Sequence, residues 1–233
     1  MRLITFAGPP SVGKTSVILR TADLLQRQGL EIGVVKFDAL ATEDDVLYAR
    51  QGLAVVRGLA GSQCPDHHFA TNIGDALDWG CRRGLDVLFS ESAGLCNRCA
   101  PHIQDVPAVC VVDVLAGVHT PRKIGPMLRL ADVVVITKGD IVSQVEREVY
   151  AYHVRQANPK ARLLPCNGLT GQGALALAQW VMQTAPDCDP LRGRRLRFSL
   201  PSAVCSFCVG ETALDESLQR GHLQKMSFGE AGR

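Results

Sequence analysis

The run Gly8-Pro9-Pro10-Ser11-Val12-Gly13-Lys14-Thr15 has the spacing G-x-x-x-x-G-K-T, the pattern of a loop that captures phosphate. Its glycines allow a tight turn that aims backbone N–H groups at phosphate oxygens, and the helical segment that follows adds the partial positive charge of its N-terminus. Lys14 is expected to reach the β and γ phosphates of a nucleotide and the Thr15 hydroxyl to ligate Mg²⁺, with Ser16 completing the cradle. A second segment, Glu91-Ser92-Ala93-Gly94, closes an apolar run with a carboxylate and a glycine. Glu91 is expected to hold a Mg²⁺-bound water and Gly94 to offer its N–H to the γ-phosphate. Asp38 ends another apolar run and is the candidate for a second carboxylate near the metal or the attacking water; the alternative is a solvated loop aspartate. Lys14, Asp38 and Glu91 are thus the expected catalytic set.

The choice of base rests on Thr137-Lys138-Gly139-Asp140. A carboxylate at Asp140 can accept from guanine N1–H and its exocyclic amine together. Adenine has no such donor pair and would leave the acceptor unsatisfied, at a cost of roughly 1–3 kcal/mol. Lys138 would lie along the base plane. Asn167-Gly168, after the next apolar run, is expected to contact the base through backbone N–H groups, although alone it reads as a turn.

Nine cysteines are many for a chain read as cytoplasmic, where disulfides are the wrong default. Cys81, Cys110 and Cys166 lie in apolar or amphipathic runs and are expected to be core thiols. Cys64-Pro65-Asp66-His67-His68 combines thiol and imidazole, a donor set suited to Ni²⁺, Zn²⁺ or Co²⁺, or else forms a solvated loop. Two C-x-x-C pairs, Cys96/Cys99 and Cys205/Cys208, strengthen the metal reading. Four thiolates from one chain, or one pair from each of two chains, would accept zinc or an iron–sulfur cluster.

These groups need a scaffold, and the sequence supplies one. Apolar β-rich runs at 3–7, 32–37, 54–57, 86–89, 108–114, 133–137 and 162–165 alternate with helix-like stretches at 15–28, 44–51, 71–81, 122–130, 144–158 and 174–184. Such alternation predicts an α/β fold of crossover units around a mostly parallel sheet with helices on both faces, its functional loops at the carboxyl edge. Val-Val-Val-Ile at 133–136 lacks polar alternation, as a strand covered on both faces should. The pattern stops near 184, which divides the chain into a nucleotide domain at 1–187 and a tail at 188–233. That tail has too little apolar material for its own core, so it must pack on the main domain or be held by metal. A formal charge of +2 in 233 residues, 46% of them hydrophobic, argues against an obligatory nucleic-acid or anionic-membrane partner. The first residues run directly into the glycine motif and no apolar stretch approaches ~18 residues, so a cytoplasmic protein without membrane insertion is expected.

Over about residues 1–184 these motifs resemble, in order and spacing, the nickel-insertion GTPases of hydrogenase and urease maturation, the HypB and UreG families. The resemblance rests on Gly8 to Thr15, Phe37 and Asp38 through Asp45, Glu91 to Gly94, Val112-Asp113 with Pro121-Arg122-Lys123, and Thr137 to Asp140. It implies slow GTP hydrolysis raised by a partner, a homodimer formed face to face around GTP, and a transition metal at that interface for a client metalloenzyme or accessory protein. Both families carry a Cys-His or Cys-Pro-His motif before the γ-phosphate-sensing strand. Here that place holds Cys64 and His67, with one residue more than the urease form, and Cys96 and Cys99 follow the sensing loop. The tail pair Cys205/Cys208 lies outside the resemblance. Two other readings stay open: a nucleotide-gated iron–sulfur protein resembling the nitrogenase iron protein, and a GTP-dependent assembly switch whose metal is purely structural.

Overall fold

Seven apolar segments become strands: β1 (Arg2–Ala7), β2 (Ile32–Asp38), β3 (Ala54–Leu59), β4 (Val87–Ser92), β5 (Ala108–Asp113), β6 (Val133–Thr137) and β7 (Arg162–Pro165). The computed structural model describes residues 1–61, 63–93, 100–184, 191, 193–198, 212–214 and 224–228. Among these, the strands form one parallel sheet in the order β3-β2-β4-β1-β5-β6-β7. The helices are α1 (Lys14–Gln26), α2 (Asp44–Arg50), α3 (Pro65–Arg82), α4 (Pro126–Arg129), α5 (Gln144–Ala157) and α6 (Ala174–Thr184).

Strand alternation sorts the core by face. Ile4, Phe6, Val34, Phe89, Val111 and Val135 point into one cluster with Val17, Ile18 and Leu25 of α1, Tyr48 of α2 and Leu177 and Val181 of α6. On the other face Leu3, Val35, Phe37 and Leu88 pack with Phe69, Ile73 and Leu77 of α3, while Val112, Val134 and Ile136 pack with Met127 and Leu128 of α4 and Tyr150 and Val154 of α5. Helix α5 starts at Ser143, whose hydroxyl accepts from Glu146 N while the Glu146 carboxylate accepts from Ser143 N, a reciprocal cap.

Three differences from the sequence expectations have physical causes. Helix α3 begins at Pro65, six residues before the expected 71, with Cys64 as its extended N-cap and proline in the first turn, where the missing N–H costs nothing. The polar run Asp66-His67-His68 masked the helical period, yet all three side chains are buried. The expected helix at 122–130 shrinks to one turn, because Gly117, Pro121, Gly125 and Pro126 break the segment into single-turn 3₁₀ pieces. Cys110 and Cys166 are buried as expected, and burial pushes Cys110 up to about 12, but Cys81 near the end of α3 is exposed.

The described parts of the tail pack on the main domain. Leu191, Leu196 and Leu214 join the α3-side cluster, and Met226 and Phe228 lie against it. The Arg197 guanidinium donates to the carbonyls of Ile103, Leu130 and Val106 and to both oxygens of Asp132, stapling the tail to the ends of the strands. Among the described residues, no helix is long and apolar enough to cross a membrane.

Candidate functional site

The loop between β1 and α1 is shaped by two backbone demands. Gly8 has φ +150°, and a Cβ there would fall far inside contact distance of the Val111 carbonyl oxygen, so only glycine lets the loop lie against β5. Gly13 is left-handed at φ +90° and caps α1. Lys14 curls back over the loop and donates to Gly8 O at 2.9 Å and Pro9 O at 2.8 Å, with Ala93 O, just past β4, at 3.4 Å. Burial lowers its pKa, opposed by Glu91. Its ammonium is satisfied by neutral carbonyls, partners that phosphate oxygens can replace with a stronger, charge-assisted bond.

Beside the loop, Thr15 Oγ1 donates to Glu91 Oε1 at 3.1 Å. Glu91 is fully buried at the carboxyl end of β4 and makes two further bonds. Lys36 Nζ reaches Oε1 at 2.8 Å, and the Tyr48 hydroxyl donates to Oε2 at 2.6 Å. Lys36 also pairs with Asp44 Oδ2 at 2.6 Å and lies 3.8 Å from Asp38 Oδ2. Burial pulls Lys36 down, but Glu91 and Asp44 outweigh it and leave its pKa raised. Asp44 is held low by Lys36 against its own burial. Tyr48 is pushed well up by burial and then by Glu91. Lys36, Asp44 and Tyr48 were absent from the sequence-derived site. Lys36 had a signal: in Ile32-Gly33-Val34-Val35-Lys36-Phe37-Asp38 a lone cation on a strand covered on both faces requires a carboxylate partner.

A Mg²⁺ ion fits these donors. Thr15 spends its hydroxyl hydrogen on Glu91 and keeps its lone pairs, and nucleotide-bound Mg²⁺ needs only one or two hard protein oxygens besides phosphates and waters. Among the described residues, no group of three or more His, Cys, Asp and Glu side chains is gathered to hold a metal. Asp38, Asp44 and Glu91 converge on an ammonium instead.

The candidate base side lies at the ends of β6 and β7. Thr137 Oγ1 lies 2.6 Å from Val12 O, locking β6 to the phosphate loop. Lys138 is left-handed at φ +59° and donates to Ser11 O and to Asp113, which also caps the turn after β5. Asp140 is exposed in the next 3₁₀ turn. Asn167 Oδ1 accepts from Leu169 N and Thr170 N, forming the expected turn. A Cβ on Gly168 would sit 2.7 Å from Ser16 Cβ, so this turn packs on the first turn of α1.

On the other face, Cys64 and His67 belong to the start of α3 rather than to a solvated loop. His67 is buried, which lowers its pKa, and Cys64 is half-buried. Between them, Asp66 accepts from the Ser92 hydroxyl at 2.7 Å, one residue past Glu91. Among the described residues Asp66 Oδ2 has no partner, and burial raises the carboxyl to about 6 against the pull of Ser92 and Lys14. His102 lies fully buried between Thr5 Oγ1 and Met127 O and is structural. Gly94, Cys96, Cys99, Cys205 and Cys208 lie outside the described residues.

Comparison with known proteins bears on this geometry. The family model described as CobW/HypB/UreG, nucleotide-binding domain, matches residues 2–165. An uncharacterized protein of Methanocaldococcus jannaschii is 43% identical over 226 residues, spanning 97% of this chain and 96% of its own. The hydrogenase maturation factor HypB of Azotobacter chroococcum is 26% identical over 200 residues; the match takes in 84% of this chain but only 62% of that factor. HypB from Helicobacter pylori, solved in complex with nickel, shares the fold with a TM-score of 0.63 over 81% of this chain and 91% of its own, at 18% identity. Since the matched stretch runs from the first residue of β1 to the last of β7, taking in the phosphate loop and the Thr137 to Asp140 segment, the chain belongs to the HypB/UreG-type family of P-loop GTPases.

Proposed function

We propose that this chain is a GTP-hydrolysing metallochaperone that dimerises on GTP and delivers a transition metal, nickel or a similar ion, to a client metalloenzyme or accessory protein. The observation that carries this reading is the bond from Ser92 to Asp66. Glu91 and Ser92 are consecutive in β4, so alternation turns one toward the phosphate site and the other toward the helix that carries Cys64 and His67. A displacement of this strand end by a γ-phosphate is therefore felt at both.

In this reading Lys14 exchanges its loop carbonyls for phosphate oxygens, and Thr15, oriented by Glu91, offers its oxygen to Mg²⁺. Asp140 and the Asn167-Gly168 turn grip guanine, while Gly94 senses the γ-phosphate. Mg²⁺ supplies charge neutralisation at the phosphates. Glu91 already holds three donors, so it orients rather than takes a proton; Asp38, at the mouth of the cluster with one oxygen on Ala39 N, is the group left to orient water. With little chemistry beyond positioning, intrinsic turnover is slow. The cargo ligands are Cys64 and His67 with Cys96 and Cys99, from one or both protomers. Residues 1–187 form the GTPase unit and 188–233 an appended tail.

A second assignment of the C-x-x-C pairs, one structural four-cysteine site within a chain, is favoured by the backbone pairing that flanks them. Arg197 N donates to His102 O, Gln104 N to Arg195 O, and Leu196 N to Thr212 O. Isothermal titration of Ni²⁺ and Zn²⁺ into the GDP-bound and non-hydrolysable-GTP-bound protein tests the main reading. Tighter binding in the GTP state that is lost in Cys64→Ala and His67→Ala is expected; equal affinity in both states refutes the coupling. Metal retained by those variants but lost in Cys205→Ser/Cys208→Ser assigns the structural site.

A further inference from the structure

Lys36 stands within one hydrogen bond of the oxygen assigned to Mg²⁺ chemistry, and nothing in the P-loop logic requires it. Its ammonium is buried, the side chain 4% exposed, and it bonds Glu91 Oε1 and Asp44 Oδ2, with Asp38 Oδ2 3.8 Å away. β2 and β4 put Lys36 directly beside Glu91 in register, on the face that carries Thr15 and Tyr48, so the contact is set by the sheet rather than by a free side chain. Counting donors, Glu91 Oε1 receives Thr15 and Lys36 and Oε2 receives Tyr48. A divalent ion can coordinate Glu91 Oε1 only by displacing Thr15 or Lys36, whereas Oε2 keeps one lone pair. Without Lys36, the carboxylates of Glu91, Asp44 and Asp38 would lie near the Thr15 hydroxyl with no internal cation among them, and hard carboxylate oxygens attract divalent ions. With Lys36 fixed among them, that attraction is weakened by a unit charge a few ångströms away in a half-buried site, where screening by water is incomplete.

We propose that Lys36 is a tethered internal cation that keeps the nucleotide-free site from holding Mg²⁺, so that the metal enters only with the phosphates of the nucleotide. Lys36 is a positioning residue: it acts through Glu91 and Asp44. It also ties α2, through Asp44, to the strand that carries Glu91. The inference rests on the reading of Thr15 and Glu91 as the Mg²⁺ site of a GTPase, and it is independent of the transition-metal cargo.

The test uses the full chain stripped of nucleotide and Mn²⁺ as the spectroscopic stand-in for Mg²⁺, with binding followed by electron paramagnetic resonance. Lys36→Gln should bind Mn²⁺ at least tenfold more tightly than the parent, Lys36→Arg should match the parent, and Glu91→Gln added to Lys36→Gln should erase the gain. Equal affinity in the parent and Lys36→Gln overturns the proposal, as does Lys36→Arg behaving like Lys36→Gln. If Lys36→Gln does not fold, the parent decides. Its thermal midpoint should be unmoved by millimolar Mg²⁺ alone and raised by Mg²⁺ with GDP; a rise with Mg²⁺ alone overturns the idea. GDP affinity measured in parallel separates the two levels. A parent that binds no GDP overturns the nucleotide reading and this proposal together, whereas GDP binding with unchanged Mn²⁺ affinity in Lys36→Gln overturns only the role of Lys36.

Discussion

Acid should weaken this fold through His102, and the size of the effect follows from its surroundings. Met127 O can only accept, so His102 Nε2 carries the hydrogen and Nδ1 accepts from Thr5 Oγ1; the ring is buried in its neutral form. Burial lowers its pKa to about 4, from an ordinary value near 6.5. The folded state therefore refuses a proton that the unfolded chain takes, and stability drains away as pH falls from about 6.5 towards 4. Integrating the linkage between pH 7.5 and 5 gives a loss of about 2 kcal/mol from this residue. Asp66 works in the opposite direction. Its raised value of about 6 means that its contribution is fully favourable below the unfolded value of 3.8 and is lost as pH rises through 6. Going from pH 7.5 to 5 it returns about 1.4 kcal/mol. The parent protein should thus show a shallow slope that hides two opposed titrations, and His102→Asn should unmask it. Urea unfolding at both pH values is the assay. The variant should be less stable at pH 7.5, where Thr5 and Met127 lose a well-placed partner, and its deficit should shrink by about 2 kcal/mol at pH 5. A deficit that does not change with pH, or a His102 ring that titrates near 6.5 by NMR in the folded protein, would refute the reasoning.

Gly8→Ala should lower the urea unfolding free energy by about 3 kcal/mol or more and abolish nucleotide binding, since the added methyl runs into the Val111 carbonyl at a φ that alanine resists. A folded variant with parental affinity would show that the loop does not need to lie on β5. Asp140→Asn should weaken GDP binding by about 30-fold, the equivalent of about 2 kcal/mol, in titrations with a fluorescent analogue. The same change should improve binding of xanthosine diphosphate, whose C2 carbonyl accepts from an amide; unchanged GDP affinity would remove Asp140 from the base site.

The sheet was legible because a covered parallel strand admits almost no polar residue, as 133–136 illustrates, and because each strand end supplied a polar motif that had to lie at one edge. The candidate phosphate and base motifs stand out for the same reason, being local in sequence. What escaped was non-local. Tyr48 and Asp44 sit on the short helix expected at 44–51, but a local pattern names no distant partner, and Tyr48 reaches 43 positions along the chain to Glu91. The start of α3 escaped because helical periodicity is sought in apolar residues, whereas its first turn buries Asp66, His67 and His68. Cys81 was misplaced for the complementary reason: an amphipathic stretch gives the period but not which flank of the stripe faces the sheet, and the helix turns that thiol outward.

Asp66 sharpens the functional argument because it is expensive to keep. A carboxyl raised from 3.8 to about 6 and ionised at neutral pH weakens the fold by about 3 kcal/mol relative to an unshifted group. One oxygen has Ser92 and the other has no partner among the described residues, so the local hydrogen bonding does not offset that penalty. Stability alone would favour an uncharged side chain at this point of α3. The bond it does make is to the residue after Glu91, and α3 is the helix whose first turn presents Cys64 and His67. Phe37 reinforces the contact from the neighbouring strand, its ring edge-on to Phe69 at 5.3 Å and against His68 at 6.1 Å. Lys36 and Phe37 alternate across β2 as Glu91 and Ser92 alternate across β4, and the two pairs are in register. A shift at the carboxyl edge of these two strands is therefore shared by both faces of the sheet, by Lys36 and Glu91 on the α1 side and by Phe37 and Ser92 on the α3 side.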